Sequence, residues 1–313
     1  MQTIVTAEDR HKVYNLCKTH LSGKWAEVSE QELIIRHNTY VSRHFNADDY
    51  LNPKIVTKLA QKLATFHSLT VPVPKNSAEL TRSNIFDKWF DDKFRASVRS
   101  GAVRKHIVGA NCATFLRHDF VTETEWFQRA VRDLQSPIVF SHNDFNRRNI
   151  LIRETRDNNN TTGSAADNTD SNGHPMANIY LIDFDWSNYN YRGLDFGQYF
   201  SRFGQLDTDF GAGDFPSDRQ MWPFIDAYIE KMCDIYGNSY AKLEINSRHV
   251  IIKETKLLAL LAYIKDILYC MDCVTTADSP EMMIKAEMRY KSYIDLKHRF
   301  LADYPVLNNI SQI

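Results

Sequence analysis

Two short segments carry residue types and spacings that can do chemistry. The first is Ser141-His142-Asn143-Asp144-Phe145-Asn146-Arg147-Arg148-Asn149-Ile150-Leu151, and the second is Leu181-Ile182-Asp183-Phe184-Asp185-Trp186. Asp144 follows an apolar stretch and precedes a polar loop. Asn149 comes five residues later, immediately before a second apolar stretch, and Asp183 closes a third. A carboxylate at Asp144 can take the proton of an attacking hydroxyl. An amide oxygen and a second carboxylate, Asn149 and Asp183, can hold Mg²⁺ against phosphate oxygens, because Mg²⁺ favours hard oxygen donors and keeps several waters. That division of labour is what phosphoryl transfer requires. An isolated His-x-Asp would read as ordinary turn chemistry; the three donors at three strand ends do not.

These donors need strands to aim them. Ile138–Phe140 leads into the Asp144 loop, Ile150–Ile152 leads out of it, and Ile179–Ile182 delivers Asp183, so three neighbouring strand ends are expected to face one cleft. Helices are predicted over 8–21, 53–68, 82–100, 122–135, 219–235, 248–273 and 280–302, with a strand at 33–35. The clearest is 53–68, with Asn52 as cap, Pro53 in the first turn, and Ile55, Leu59, Leu63 and Phe66 at helical spacing. Ser279-Pro280 marks the start of the last helix. Residues 154–177 are rich in Asn, Thr, Ser and Asp, with almost nothing to bury, and read as a disordered hairpin insertion.

Composition excludes other classes. The chain has 313 residues, 43% apolar and 25% charged, with 38 basic against 39 acidic side chains, a net charge of −1. A balance this even argues against nucleic acid as a partner. No apolar run has the roughly 18–20 residues of a membrane span, and the first residues lack the basic start and apolar core of a secretory signal. Five cysteines suit a reducing compartment without disulfides, and a cytoplasmic location is expected. Cys270-Met-Asp-Cys273 has the spacing of a metal or redox pair, but it lies in a helical pattern without a second pair and reads as inert thiols.

The run Tyr189-Asn190-Tyr191-Arg192-Gly193-Leu194-Asp195 follows the second segment. With His142-x-Asp144-x-x-x-x-Asn149 and Ile182-Asp183-Phe-Asp-Trp186, it resembles the choline/ethanolamine kinase family. Lys58–His67, Val13–Lys18, Gly23–Trp25 and Arg289–Tyr293 are similar to further family segments, so about four-fifths of the chain is covered. The resemblance implies an α+β, bilobal protein-kinase-like fold with a large helical C-terminal lobe. It implies ATP and Mg²⁺ as cofactors and phosphorylation of choline or ethanolamine, the first step of phosphatidylcholine or phosphatidylethanolamine synthesis. Asp144 would activate the alcohol, Asn149 and Asp183 would carry the metal and nucleotide, and Arg192 and Asp195 would hold the catalytic loop. Asp144, Asn146, Asp185, Trp186 and Asp207 would meet the substrate, with Tyr199, Tyr263 and Tyr269 as further aromatic candidates. His142 would pack and hydrogen-bond the loop.

The chain also departs from the family pattern. There is no glycine between Lys24 and Ser100, where a Gly-rich phosphate loop would lie, and the first strand runs directly into a hinge-like Tyr40–His44. Residues 1–44 are therefore expected to form a truncated N-terminal lobe and 45–313 the C-terminal lobe. Lys265 and Leu268 stand where the family has two tryptophans, Arg202 where it has an acidic residue, and Arg148 where it often has glycine. These departures support an alternative: a catalytically impaired pseudokinase or splice form that binds a full-length relative. A homodimer or such a heterodimer is the expected assembly, because a large lobe with a vestigial partner would expose apolar surface.

Overall fold

The computed structural model describes residues 42–75, 90–132, 134, 136–153, 178–203, 215–276 and 279–305. The helix and strand expected before Val41, the hairpin insertion and Asp207 lie outside these residues, so the expectation of a truncated N-terminal lobe does too.

The described body is α+β, with two small sheets against a helical mass. Strand β1 (Ser42–His44) includes the end of the segment read as a hinge; it edges a sheet in the order β1-β3-β4. Helix α1 (Pro53–His67) starts as its sequence dictates. The Asn52 side chain accepts the Lys54 and Ile55 amides, Pro53 takes the first turn, and Ile55, Leu59 and Leu63 are buried.

The expected helix over 82–100 is described from Asp92 to Ser100 (α2), with the Asp91 carboxylate accepting the Phe94 amide as its cap. Two helices that weak apolar periodicity concealed follow, α3 (Ala102–Gly109) and α4 (Ala113–Arg117), then α5 (Phe120–Arg132).

The strands do not lie side by side as expected. Strand β2 (Ile138–Ser141) leads into the Asp144 loop. It pairs with β5 (Asn188–Tyr191) in the register Ile138 opposite Tyr191 to Ser141 opposite Asn188. Strand β3 (Ile150–Arg153) pairs separately with β4 (Asn178–Leu181), Ile150 opposite Leu181. The physical reason is the short 3-10 turn Arg147–Asn149, which redirects the chain between β2 and β3.

Helix α6 (Arg192–Phe200) is buried along its whole length. It lies against α8 (Arg248–Thr276), whose 29 residues are apolar on nearly every side. Close approach is built in at Gly197, where a Cβ would sit 2.5 Å from the Ala259 nitrogen and 2.7 Å from the Leu258 carbonyl carbon. Helix α7 (Asp218–Tyr236) packs on α1, and α9 (Glu281–Asp303) on α8. Pro280 occupies the cap of α9 rather than its first turn. Lys256, buried in α8, ties the bundle by ion pairs to Asp218 at 2.7 Å and Asp303 at 2.6 Å. No helix among the described residues is long and apolar enough to cross a membrane.

Candidate active site

The loop after β2 is held from beneath by one face of α6. Asp195 and Gln198 are three residues apart and so point the same way. The Asp195 carboxylate accepts the backbone amides of His142 (2.7 Å) and Asn143 (2.8 Å) and the Ser141 hydroxyl (2.9 Å). Gln198 accepts the Phe145 amide and donates to the Asn143 carbonyl, both at 2.8 Å. The last residue of α1 completes the support. His67 Nε2 lies 3.1 Å from Asp195, and its Nδ1 is 2.9 Å from the Tyr228 hydroxyl. Because the carboxylate can only accept, Nε2 carries the proton. Burial drives the His67 pKa down despite Asp195. Burial alone would raise the Asp195 pKa, but hydrogen bonds and charge from His67 and the His142 amide hold it below the usual range.

Asn143 and Asp183 are non-glycine residues in the left-handed region, at φ 63° and 65°. This conformation suits Asn and Asp better than other side chains. The Asn143 side chain is fully engaged, donating to the Trp186 carbonyl (2.9 Å) and Asn188 Oδ1 (2.8 Å) and accepting from Asn190 (2.8 Å). The loop is thereby fastened to the segment that follows Asp183. His142 is buried, and its Nε2 lies 3.0 Å from the Ile182 carbonyl.

Hydrogen bonds join Asp144 to Asn149, and Asn149 to the residue that precedes Asp183. The Ile182 amide donates to the Asn149 carbonyl at 3.0 Å, continuing the β3–β4 ladder by one step. The Asn149 amide nitrogen donates to Asp144 Oδ2 at 2.7 Å. With its side-chain Nδ2 spent on Asp144, Asn149 keeps its side-chain Oδ1 without a hydrogen bond among the described residues, and the exposed Asp183 carboxylate takes none among them either. Two hard oxygen donors with unmet capacity fit Mg²⁺ with its waters and phosphate ligands.

The other expected residues separate. Arg192 does not reach the loop. Its guanidinium is buried against Glu254 (2.6 Å), Asn246 (2.7 Å) and the Ile245 carbonyl (2.8 Å), so it anchors the start of α6 to α8 instead. Asn146 caps the 3-10 turn by accepting the Arg148 amide, and Arg148 points to solvent. Asp185 is exposed, as is Trp186 at 60%. Tyr199 and Tyr263 are core residues, Tyr199 stacked on Phe224 and Tyr263 beneath the Arg289 guanidinium. Tyr269, by contrast, lines a separate cleft of about 510 Å³ with Phe94 and Asp272.

Asp144 opens onto a cavity of about 50 Å³, bordered also by Asn146, Gln198, Arg202, Lys265 and Asp266. Burial lowers the Lys265 pKa, and Asp144 and Asp266 oppose the shift. His67 and Gln198 were not singled out from the sequence as loop supports; no local pattern marks them, because their partners are distant in the chain.

A profile described as choline/ethanolamine kinase matches residues 16–298. Mouse (Mus musculus) choline kinase alpha is 24% identical over 272 residues, which are 82% of this chain and 54% of that protein. A probable ethanolamine kinase of Arabidopsis thaliana is 24% identical over 201 residues, 60% of this chain and 42% of that one. The chain thus spans about half the length of these curated relatives. Among solved structures, choline kinase from Cryptosporidium parvum Iowa II superposes with a TM-score of 0.50 at 17% identity, covering 88% of this chain and 72% of that one.

Proposed function

We infer, from a chain that belongs to the choline/ethanolamine kinase family, that it transfers the γ-phosphoryl group of ATP to the hydroxyl of a small alcohol. The relatives' names supply choline and ethanolamine as the first acceptors to test. What supports this reading is the Asn149–Asp144 hydrogen bond at 2.7 Å, together with the main-chain bond from Ile182, the residue before Asp183, to Asn149 at 3.0 Å.

Asp144 Oδ2 is engaged by Asn149, so Oδ1 faces the incoming hydroxyl. It takes the hydroxyl proton as the oxygen bonds to the γ-phosphorus and the bond to the bridging oxygen breaks, releasing ADP. Asn149 and Asp183 would hold Mg²⁺, which neutralises phosphate charge when bound. Asp195, Gln198 and His67 keep the loop backbone rigid, so that Asp144 needs no reorganisation during the reaction.

Transfer of labelled γ-phosphate to an alcohol tests the reading. Asp144→Asn is expected to lower turnover by about 10²–10⁴-fold, the usual contribution of a positioned general base. Asp183→Asn is expected to weaken Mg·ATP binding. Turnover unchanged in Asp144→Asn rejects the assignment.

A further inference from the structure

A primary and a quaternary ammonium ask different things of a pocket. The quaternary ion has no N–H to donate and is held by aromatic faces, whereas a primary ammonium carries three N–H donors that want oxygen. The two also differ in bulk by three methyl groups. The cavity beside Asp144 separates them on both counts.

Its volume is about 50 Å³. A single water takes roughly 10–15 Å³ of such space, so there is room for about four non-hydrogen atoms. A two-carbon amino alcohol has that many and choline has seven. The Lys265 side chain takes up part of the site: it borders the cavity and reaches across to the Asn143 carbonyl at 3.3 Å, beside Asp144 itself.

The walls are polar. Among the described residues no aromatic ring lines the cavity, because Tyr199 and Tyr263 are turned into the core and Tyr269 lies in the separate cleft. What the walls do offer is a second carboxylate, Asp266. Its Oδ1 accepts from Arg202 at 2.9 Å, while its Oδ2 is buried and takes no hydrogen bond among the described residues, although Arg289 Nε stands 3.0 Å away. A buried acceptor left unsatisfied is costly, and a ligand N–H relieves that cost. Burial works against the charge on Lys265, which weakens the repulsion that an incoming ammonium meets there.

We propose that this cavity selects a primary amino alcohol over a quaternary one: Lys265 limits the room around the cation, and Asp266 Oδ2 accepts an ammonium N–H while the hydroxyl meets Asp144. The proposal rests on the phosphoryl-transfer reading and narrows its acceptors to the ethanolamine type. Lys265 and Asp266 are specificity residues in this scheme; the proton still goes to Asp144.

The experiment is a methylation ladder. Binding of ethanolamine, N-methylethanolamine, N,N-dimethylethanolamine and choline is measured by calorimetry, and transfer from labelled ATP to each is measured alongside. The proteins are the unaltered chain, Lys265→Ala, Lys265→Met and Asp266→Asn. Affinity is expected to fall with each methyl, by about tenfold or more from ethanolamine to choline, the scale on which a small pocket rejects an added carbon. Lys265→Ala should admit choline and level the ladder, whereas Lys265→Met, which keeps the bulk, should retain it. Asp266→Asn should weaken ethanolamine and leave choline nearly unchanged. Unchanged melting excludes misfolding as the cause, and Lys265→Ala against Lys265→Met carries the test if Asp266→Asn does not fold. A flat or inverted ladder in the unaltered chain, a ladder that survives Lys265→Ala, or no binding of ethanolamine overturns the proposal. A ladder in binding without transfer to any of the four leaves the proposal standing and rejects the phosphotransferase reading. Transfer to choline in preference to ethanolamine does the reverse.

Discussion

At the scale of single residues, the site depends on a buried acid–imidazole pair that is itself remote from the chemistry. Asp195 accepts from Ser141, His142, Asn143 and His67, so its charge is what fixes the loop. His67 is buried and its pKa is lowered, chiefly by burial. It is therefore neutral in the folded chain at a pH where an unfolded histidine, titrating near 6.5, is already protonated. The unfolded state then binds more protons, and stability rises with pH across that window and falls on acidification through it. The depressed Asp195 pKa acts at lower pH, its contribution being lost as pH falls through its folded value. Urea midpoints measured from pH 7 down to about pH 2, well below the ordinary aspartate pKa, are expected to decline in two stages. In His67→Gln the stage just below pH 6.5 should flatten, and the later one should weaken, because His67 is the leading cause of the low Asp195 pKa. Equal slopes in both proteins across that first window would refute the assignment. Asp144, Asn149 and Asp183 were legible in the sequence because each stands at a fixed offset from an apolar strand. His67 was not, because its partner Asp195 is 128 positions away and only the fold joins them. Gln198 was hidden for the same reason, 53 positions from the amide it accepts.

At the scale of elements, the placement of Asp195 depends on how closely α6 can approach α8. The Cβ of an alanine at position 197 would meet backbone atoms of Leu258 and Ala259 at 2.5–2.9 Å. Backbone cannot swing aside as a flexible side chain can, so one helix must move. Gly197→Ala is expected to cost about 1–3 kcal/mol, the range for overpacking a core. It should lower phosphoryl transfer as well, because Asp195 and Gln198 would shift away from the loop. Gly109→Ala is the control: at the end of α3 nothing lies within 4 Å of the added methyl, so thermal unfolding and activity should be unaffected or slightly improved. Equal melting temperatures for the two variants would show that the α6–α8 contact is not tight. Legibility at this scale follows from amphipathicity. Helix α1 was readable because it has one apolar face, a cap and a first-turn proline. The partner of β2 was not, because β5 reads Asn-Tyr-Asn-Tyr and lacks an apolar alternation. Its Asn190 is buried by pairing with Asn143 rather than by hydrophobicity.

At the scale of the whole molecule, the side of the site that carries Asp183 is unusually apolar for exposed surface. Trp186 is 60% exposed and Phe184 49%, with Phe184 lying flat against Phe66 at 5.6 Å between ring centres. Ile138 and Tyr180, on the strands leading to and from the site, are 43% and 42% exposed. Scattered exposed apolar residues need no explanation, but aromatic groups gathered beside a functional loop favour association. Each large side chain removed from water contributes roughly 1.5–3 kcal/mol, so a few such groups suffice for a weak assembly. Light scattering on the purified chain is expected to give a mass above the 36.4 kDa of one copy, with binding of an apolar dye. The double variant Phe184→Ser, Trp186→Ser should lower both at a modest cost in melting temperature, because Phe184 gives up its stack on Phe66. A monomeric, dye-silent chain would reject the association outright. Association that survives the double variant would place the contact elsewhere on the molecule.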